Sequence, residues 1–268
     1  MINRNDYPHP VNQLISRGRL EGVAFKPEQW FDYVGHYGLG EIDVPSLIDL
    51  AIEERRFRKK RPKEFYAPIH AVRALGQLGD MAADSYLVEL LDRHQDDDLV
   101  ENAIAALTML GPRVPGLLMD YFNQPLTHPD SRSRAVEAIY LFARRQPEQQ
   151  GHCVQLLTEA LAGYQEQSTL LNGFIVYYLV KLGATEAAEM ISQAFAAGKV
   201  EEDINGSWAA VQVALGLAEA SDFTPNELRG AGDRALKEQR QVKSAQRAQR
   251  TETAQLSGSY SILDHLRR

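Results

Sequence analysis

The hydrophobic pattern of residues 66–91 predicts two short amphipathic helices joined by a tight turn. Apolar residues recur every three positions from Ile69 to Leu78, a spacing that places them along one face of a helix. Gly79 suits the left-handed conformation that often ends a helix, and Asp80 can cap the next helix by accepting its free N–H groups. The second helix is expected to bury a stripe formed by Leu87, Leu90 and Leu91.

The same pair of helices returns downstream, which predicts an array of repeats. The ends of successive first helices are 32, 32, 40 and 35 residues apart, a period typical of helical repeats. A single pair cannot bury its apolar face, so neighbouring pairs must stack into a continuous core. The expected fold is all-α: an α-solenoid, a right-handed superhelix of about five helix pairs with irregular capping helices. The aligned helix ends are Gly79, Gly111, Ala143, Gly183 and Ala218.

The two ends of the chain depart from this pattern. Residues 1–40 are predicted to form N-terminal capping helices, with one helix near 9–16 and another over 26–37. Residues 41–223 form the repeat solenoid, and its 41–56 helix is interpreted as the second helix of an atypical first pair. Residues 224–268 are rich in Arg, Gln, Ala and Lys, which predicts a basic helical tail.

Charge is distributed unevenly, and this limits the classes of partner. Residues 64–228 contain 9 Lys and Arg and 23 Asp and Glu, a net charge of −14 in a chain whose total is −7. An acidic body repels phosphate backbones, which disfavours nucleic-acid binding along the array. The lone Cys153 and the lack of an apolar run long enough for a signal peptide or a membrane span predict a cytoplasmic protein without a membrane partner.

A basic patch precedes the best-preserved helix pair. This run could bind phosphate, RNA or an acidic protein, or it could be a solvated loop that pairs with the acidic cluster at 96–101. Both alternatives stay open from the sequence. The patch consists of Arg55, Arg56, Arg58, Lys59, Lys60, Arg61 and Lys63.

The string AVRALGQLGD at residues 71–80, followed by the leucines at 87–91, resembles the HEAT-type repeat in its short form named after phycobilisome lyases. The likeness is good for this copy, fair for 103–122 and weaker for 135–218. The opening YPHPVNQL together with YAPIHAVRALGQL is also similar to a bacterial family of HEAT-like proteins. This resemblance implies the solenoid fold and no particular activity, because such arrays host many functions.

No set of residues predicts a catalytic or metal centre. One HEAT-type class, resembling deoxyhypusine hydroxylase, holds two irons through His-Glu dipeptides, and none of the seven histidines here precedes a glutamate. Glu148 and His152 are four apart, but metal sites in proteins usually need three or four ligands. Cys153 lies on an apolar helix and is expected to be a buried structural thiol. No cofactor is therefore expected, and a non-enzymatic role is favoured although activity stays open.

Carboxylates on the second helices indicate a surface for a partner. Stacked repeats form a concave surface lined by their second helices, and a row of carboxylates there favours a basic protein or peptide. The best-preserved copy adds Tyr66, His70 and Arg73 as candidate partner contacts. The alternative role of these three residues is to bond to neighbouring elements of the fold. The candidate partner-binding residues are Glu53, Tyr66, His70, Arg73, Glu89, Asp92, Asp120 and Glu159.

Three functions follow from these features. The leading one is a non-enzymatic scaffold or adaptor that captures a protein partner on the acidic concave face. A basic partner is favoured by the charge of that face. A bilin lyase or chromophore-handling protein is the alternative that the phycobilisome-lyase resemblance implies. The third is nucleic-acid association through the 55–63 basic patch and the C-terminal tail. The sequence gives no indication of oligomeric state.

Overall fold

The computed structural model of the chain describes residues 6–53, 64–93, 96–125, 127–230 and 232, and within these ranges it contains helices and no strand. The chain divides into two compact units, Met1–Val200 and Glu201–Arg268. The basic patch at 55–63 and nearly all of the tail beyond residue 230 lie outside the described residues, so the predictions made for them remain predictions.

The first unit contains ten α-helices among its described residues. They are α1 (Tyr33–Tyr37), α2 (Val44–Ile52), α3 (Ala67–Leu78), α4 (Asp84–Glu89), α5 (Asp97–Leu107), α6 (Val114–Phe122), α7 (Pro129–Arg145), α8 (Gln150–Ala162), α9 (Thr169–Lys181) and α10 (Ala188–Ala196). A 3₁₀ turn, Leu90–Asp92, continues α4.

These helices stack in two layers. Helices α3, α5, α7 and α9 pack in succession and form the first-helix layer. Helices α4, α6, α8 and α10 pack in succession and, with α2 at their start, form the second-helix layer. Helix α2 packs on α3 and on the 3₁₀ turn before α4, which is the position of a second helix from a preceding pair. The predicted α-solenoid architecture is confirmed, while the hand of its superhelix remains a prediction.

The turn between α3 and α4 has the predicted capping chemistry. Gly79 is in the left-handed region at φ +67° and ends α3. The Asp80 carboxylate accepts a hydrogen bond from the Ala82 N–H at 2.8 Å. The apolar stripe of α4 and its 3₁₀ continuation is buried, as expected, at Leu87, Leu90 and Leu91.

Helices α3 and α5 approach closely at Gly76. A Cβ atom added there would lie 2.9 Å from both the Cα and the Cβ of Ala106, closer than carbon atoms normally pack. The glycine on one helix and the alanine on the other therefore set the spacing of the first two repeats in this layer. Small residues at a crossing allow such short distances between helix axes.

The N-terminal segment, residues 6–40, departs from the predicted pair of helices. A 3₁₀ helix spans Val11–Ser16, but the helix expected over 26–37 is broken, because Trp30 is extended and α1 starts only at Tyr33. The Gln77 side chain of α3 explains the break. It donates to the Phe31 carbonyl and accepts from the Tyr33 N–H, both at 2.8 Å, so these groups are taken out of a helix.

The second unit contains α11 (Glu202–Asn205) and α12 (Trp208–Ala214) among its described residues. Ser207 caps α12 by accepting from the Ala210 N–H at 3.3 Å, and its hydroxyl donates to the Glu227 carbonyl. The first helix predicted to end at Ala218 is therefore present but ends at Ala214, and Gly216 follows it at φ +72°. None of the described helices is both long and apolar enough to cross a membrane.

Candidate partner-binding surface

Each second helix buries one side and presents the other to solvent. In α4, Leu87 and Val88 are buried while Glu89 is exposed. In α8, Leu157 is fully buried and Glu159 is exposed. The same alternation continues in α6, where Asp120 is exposed, and in α10, where Glu189 is exposed. Consecutive helices of this layer therefore all expose polar residues to solvent.

Within their bounds, the helices of the second-helix layer expose charge of one sign. Within their bounds, these five described helices contain no lysine and no arginine. Their exposed acidic residues are Asp49, Glu89, Asp120, Glu159 and Glu189. The first-helix layer is different, because its helices contain Arg73, Arg132, Arg134, Arg144, Arg145 and Lys181.

One arginine close to this surface is already paired. Arg113 precedes α6, and its guanidinium binds the carboxylate of Asp84, which is fully buried at the start of α4. Arg113 also donates to the Met81 carbonyl at 2.9 Å. The positive charge of Arg113 therefore balances the buried Asp84 carboxylate. It does not neutralise the exposed acidic residues of the second-helix layer.

The five predicted carboxylates fall into two groups. Glu89, Asp120 and Glu159 are exposed on α4, α6 and α8, which are consecutive helices of the second-helix layer. Two others contact the chain itself. Glu53, half-buried after α2, accepts from the Tyr7 hydroxyl at 3.3 Å, and Asp92 accepts from the Ser131 hydroxyl at 2.6 Å. The first group is therefore the better placed for a partner.

His70 does not lie on a surface, which corrects the interpretation of this residue as a partner contact. Its ring is fully buried and is held on both sides: Nδ1 lies 2.7 Å from the Tyr33 hydroxyl and Nε2 lies 2.9 Å from the Gly18 carbonyl. Burial lowers the pKa of His70 to about 4, with Arg17 and Arg73 adding to the effect, so the ring is neutral near pH 7. Its role is internal, joining the N-terminal segment to α3.

Arg73 is likewise buried, so a partner contact is not available to it. Its Nε donates to the Asn102 side-chain oxygen at 2.7 Å, and its two Nη atoms donate to the carbonyls of Glu21 and Gly22. The guanidinium also lies 4.8 Å from the centroid of the Trp30 ring. Arg73 therefore fastens the N-terminal segment to α3 and α5. Tyr66, the third residue of this group, is half-buried just before α3.

Cys153 is a buried thiol, as the sequence predicted. Its side chain is 0 % exposed in α8, and burial raises its pKa to about 11. The thiolate form is therefore scarce near pH 7, and a nucleophilic role would need the opposite shift. Among the described residues, no three acidic, histidine or cysteine side chains gather in a group that could hold a metal ion.

The first-helix layer contains an aromatic cluster that sequence reasoning missed. The rings of Tyr140 and Tyr178 stack with centroids 4.9 Å apart and an angle of 24°. Burial raises the pKa of the neighbouring Glu137, and the charge of Glu101 adds to this shift. These tyrosines lie on different helices, α7 and α9, so their contact depends on packing that no local pattern reveals.

The stacked pairs define the chain as a helical-repeat protein, and comparison with known families specifies the kind of repeat. Residues 69–93 match the family described as PBS lyase HEAT-like repeat, which covers most of α3 and all of α4. The predicted HEAT-like repeat is thereby confirmed. No curated protein and no solved structure matches the chain.

Proposed function

We propose that this protein is a non-enzymatic scaffold that captures a basic protein segment on the second-helix layer. One observation carries the proposal: the five described helices of the second-helix layer each expose an Asp or Glu and, within their bounds, contain neither lysine nor arginine. Repeat proteins bind partners along such extended layers. The acidic layer therefore favours a partner whose contact surface is rich in Lys and Arg.

Uniform charge affects association more than it affects the fold. Charges of one sign along a surface attract an oppositely charged partner and can raise its association rate by a factor of about 10 to 1,000. Because Glu89, Asp120 and Glu159 are exposed, folding does not depend on them, and they remain available for such attraction. Binding through these residues should weaken as salt concentration rises.

The two other functions receive less support. The bilin-handling alternative depends on the family of the matched repeat, and that match covers only residues 69–93. Those residues build the packing of α3 and α4 around Gly79 and Leu87, a structural role that every repeat array needs. Nucleic-acid binding depends on the C-terminal tail and on the basic patch at 55–63, which lies outside the described residues, and the acidic second-helix layer disfavours it.

Two triple variants of equal charge test the proposal. The first, Glu89→Gln/Asp120→Asn/Glu159→Gln, removes three charges from the second-helix layer. The matched control, Asp98→Asn/Glu101→Gln/Asp130→Asn, removes three exposed charges from α5 and α7 of the first-helix layer. Each tagged protein is expressed in the native cell, and co-purifying proteins are quantified by mass spectrometry against the wild type.

We expect the first variant to lose a partner with a basic surface that the control variant retains. Both variants should keep the wild-type helical content, because every altered side chain is exposed. Retention of all partners by the first variant would contradict the proposal. An equal loss in both variants would also contradict it, since net charge rather than the second-helix layer would then be responsible.

A further inference from the structure

A groove runs along the second-helix layer between α8 and the start of α10. Its volume is about 340 Å³, and its lining surface is mostly apolar. Val154 and Met190 supply large apolar groups, while Gly151 and Ala162 have too little side chain to close it. A space of this size holds about ten water molecules at their liquid volume, which is ample room for one long side chain.

Two carboxylates line the same groove. Glu159 belongs to α8 and Glu186 to the 3₁₀ turn before α10, and both side chains are exposed. Gln155 donates from Nε2 to Glu159 Oε1 at 2.9 Å and so restrains the position of that carboxylate. Of the described residues that line the groove, none is basic.

We propose that this groove seats an arginine side chain of the basic partner segment, an inference that rests on the proposed function. The aliphatic stem of an arginine would lie against Val154 and Met190, as long cationic side chains do on apolar surfaces. Its guanidinium would donate to Glu159 and Glu186. Charge complementarity therefore selects the occupant, since two carboxylates without a cation disfavour an anionic or purely apolar group.

Arginine fits this combination better than lysine. Its planar guanidinium offers five donors in a fixed arrangement, so it can bond carboxylates on two helices at once. It is also more weakly hydrated than an ammonium group, which lowers the cost of entering a groove with apolar walls. The groove thus adds selectivity for side-chain shape to a layer that otherwise attracts by charge alone.

Blocking the groove without changing any charge tests this inference. A Cβ atom added at Gly151 meets no other atom within 4 Å, so Gly151→Leu is compatible with the fold and adds an isobutyl group at a position that lines the groove. Gly116→Leu is the matched control, because Gly116 lies on α6 of the same layer and its added Cβ is equally free. The probe is a fluorescein-labelled peptide of alternating arginine and glycine, and fluorescence anisotropy gives its Kd.

We expect Gly151→Leu to weaken peptide binding about tenfold, the effect of losing one charge-assisted contact, and Gly116→Leu to leave it unchanged. A second probe replaces each arginine by 2-amino-3-guanidinopropionate, which keeps the guanidinium on a shorter stem. This probe should bind the wild type about tenfold more weakly than the arginine peptide and should be insensitive to Gly151→Leu.

The outcomes separate this inference from the proposed function. If Gly151→Leu binds the arginine peptide as tightly as the wild type while Glu89→Gln/Asp120→Asn weakens binding, the groove inference fails and the acidic layer stands. If neither Gly151→Leu nor Glu89→Gln/Asp120→Asn weakens binding, both fail. Equal binding of the two probes to the wild type would overturn the inference as well, because the stem would then make no contact.

Discussion

The hydroxyl of Tyr33 lies 2.7 Å from Nδ1 of His70, and both side chains are buried. On the other side of the ring, Nε2 faces the Gly18 carbonyl at 2.9 Å. Because a carbonyl oxygen can only accept, Nε2 bears the proton, and Nδ1 accepts from the tyrosine. One neutral ring thereby joins α3 to Gly18 and to the start of α1 in the N-terminal segment.

The low pKa of His70 predicts that acid destabilises the fold. The folded-state pKa is about 4, whereas an unfolded histidine has a pKa of about 6.5. Between these values the unfolded chain binds a proton that the folded chain does not. The free energy of unfolding should therefore fall as pH falls from 6.5 to 4, by at most about 1.4 kcal/mol per pH unit.

Urea denaturation across this pH range measures the effect. His70→Gln should remove this part of the pH dependence, since no titrating group remains at the site. His152→Gln is the control, because His152 is exposed on α8, and it should keep the wild-type dependence. If His70→Gln and the wild type showed the same slope between pH 6.5 and 4, the assignment would be wrong.

Arg73 should be one of the most sensitive positions of the first repeat. Arg73→Leu leaves the buried Asn102 oxygen and the part-buried carbonyls of Glu21 and Gly22 without their donor. We expect a loss of about 3 to 5 kcal/mol in the free energy of unfolding. Arg144→Leu, at an exposed position of α7, should change it by less than about 0.5 kcal/mol. Equal effects in chemical denaturation would show that the buried hydrogen bonds contribute nothing.

Gly76→Ala tests the close packing of α3 on α5. Alanine normally stabilises a helix interior by about 1 kcal/mol relative to glycine. Here the new methyl group would meet Ala106 at 2.9 Å, so we expect a net destabilisation of about 1 to 3 kcal/mol. Gly116→Ala, with open space around its Cβ, should instead be stabilising. Thermal unfolding of both variants decides, and an increase in Tm for Gly76→Ala would refute the close contact.

The repeat architecture could be predicted because its signals are local. The Gly79–Asp80 turn depends on the conformational freedom of one residue and the short side chain of the next, and both act on their immediate neighbours. The helical spacing from Ile69 to Leu78 likewise needs no knowledge of the rest of the chain. For this reason the layers of helices agree with expectation even in the copies whose likeness to the repeat is weaker.

The role of His70 and Arg73 could not be predicted, because each residue bonds to a backbone carbonyl distant in the chain. His70 and Gly18 are 52 residues apart, as are Arg73 and Glu21. A carbonyl group is present in every residue, so the sequence gives no sign of which one will be used. Sequence reasoning therefore predicts surface contacts for His70 and Arg73, whereas both residues hold the N-terminal segment in place.

The carboxylates of the candidate surface could be predicted from the sequence, whereas the groove beside them could not. Glu89, Asp120 and Glu159 were found from helical periodicity, since each lies opposite a buried stripe. Glu189 satisfies the same pattern and could have been added by applying it to α10. The groove with Glu186 depends on how α10 packs against α8, and no spacing along the chain encodes that distance.

Photo-cross-linking from the second-helix layer tests the central claim most directly. Tyr86 on α4 and Leu170 on α9 are both exposed, large and uncharged, so benzoylphenylalanine can replace either without altering the charge of the protein. Irradiation in the native cell, followed by mass spectrometry, identifies what each position touches. We predict that position 86 captures a protein with a Lys- and Arg-rich contact segment and that position 170 does not. Capture of that protein from position 170 alone, or of only acidic proteins from position 86, would contradict the proposed role of the second-helix layer.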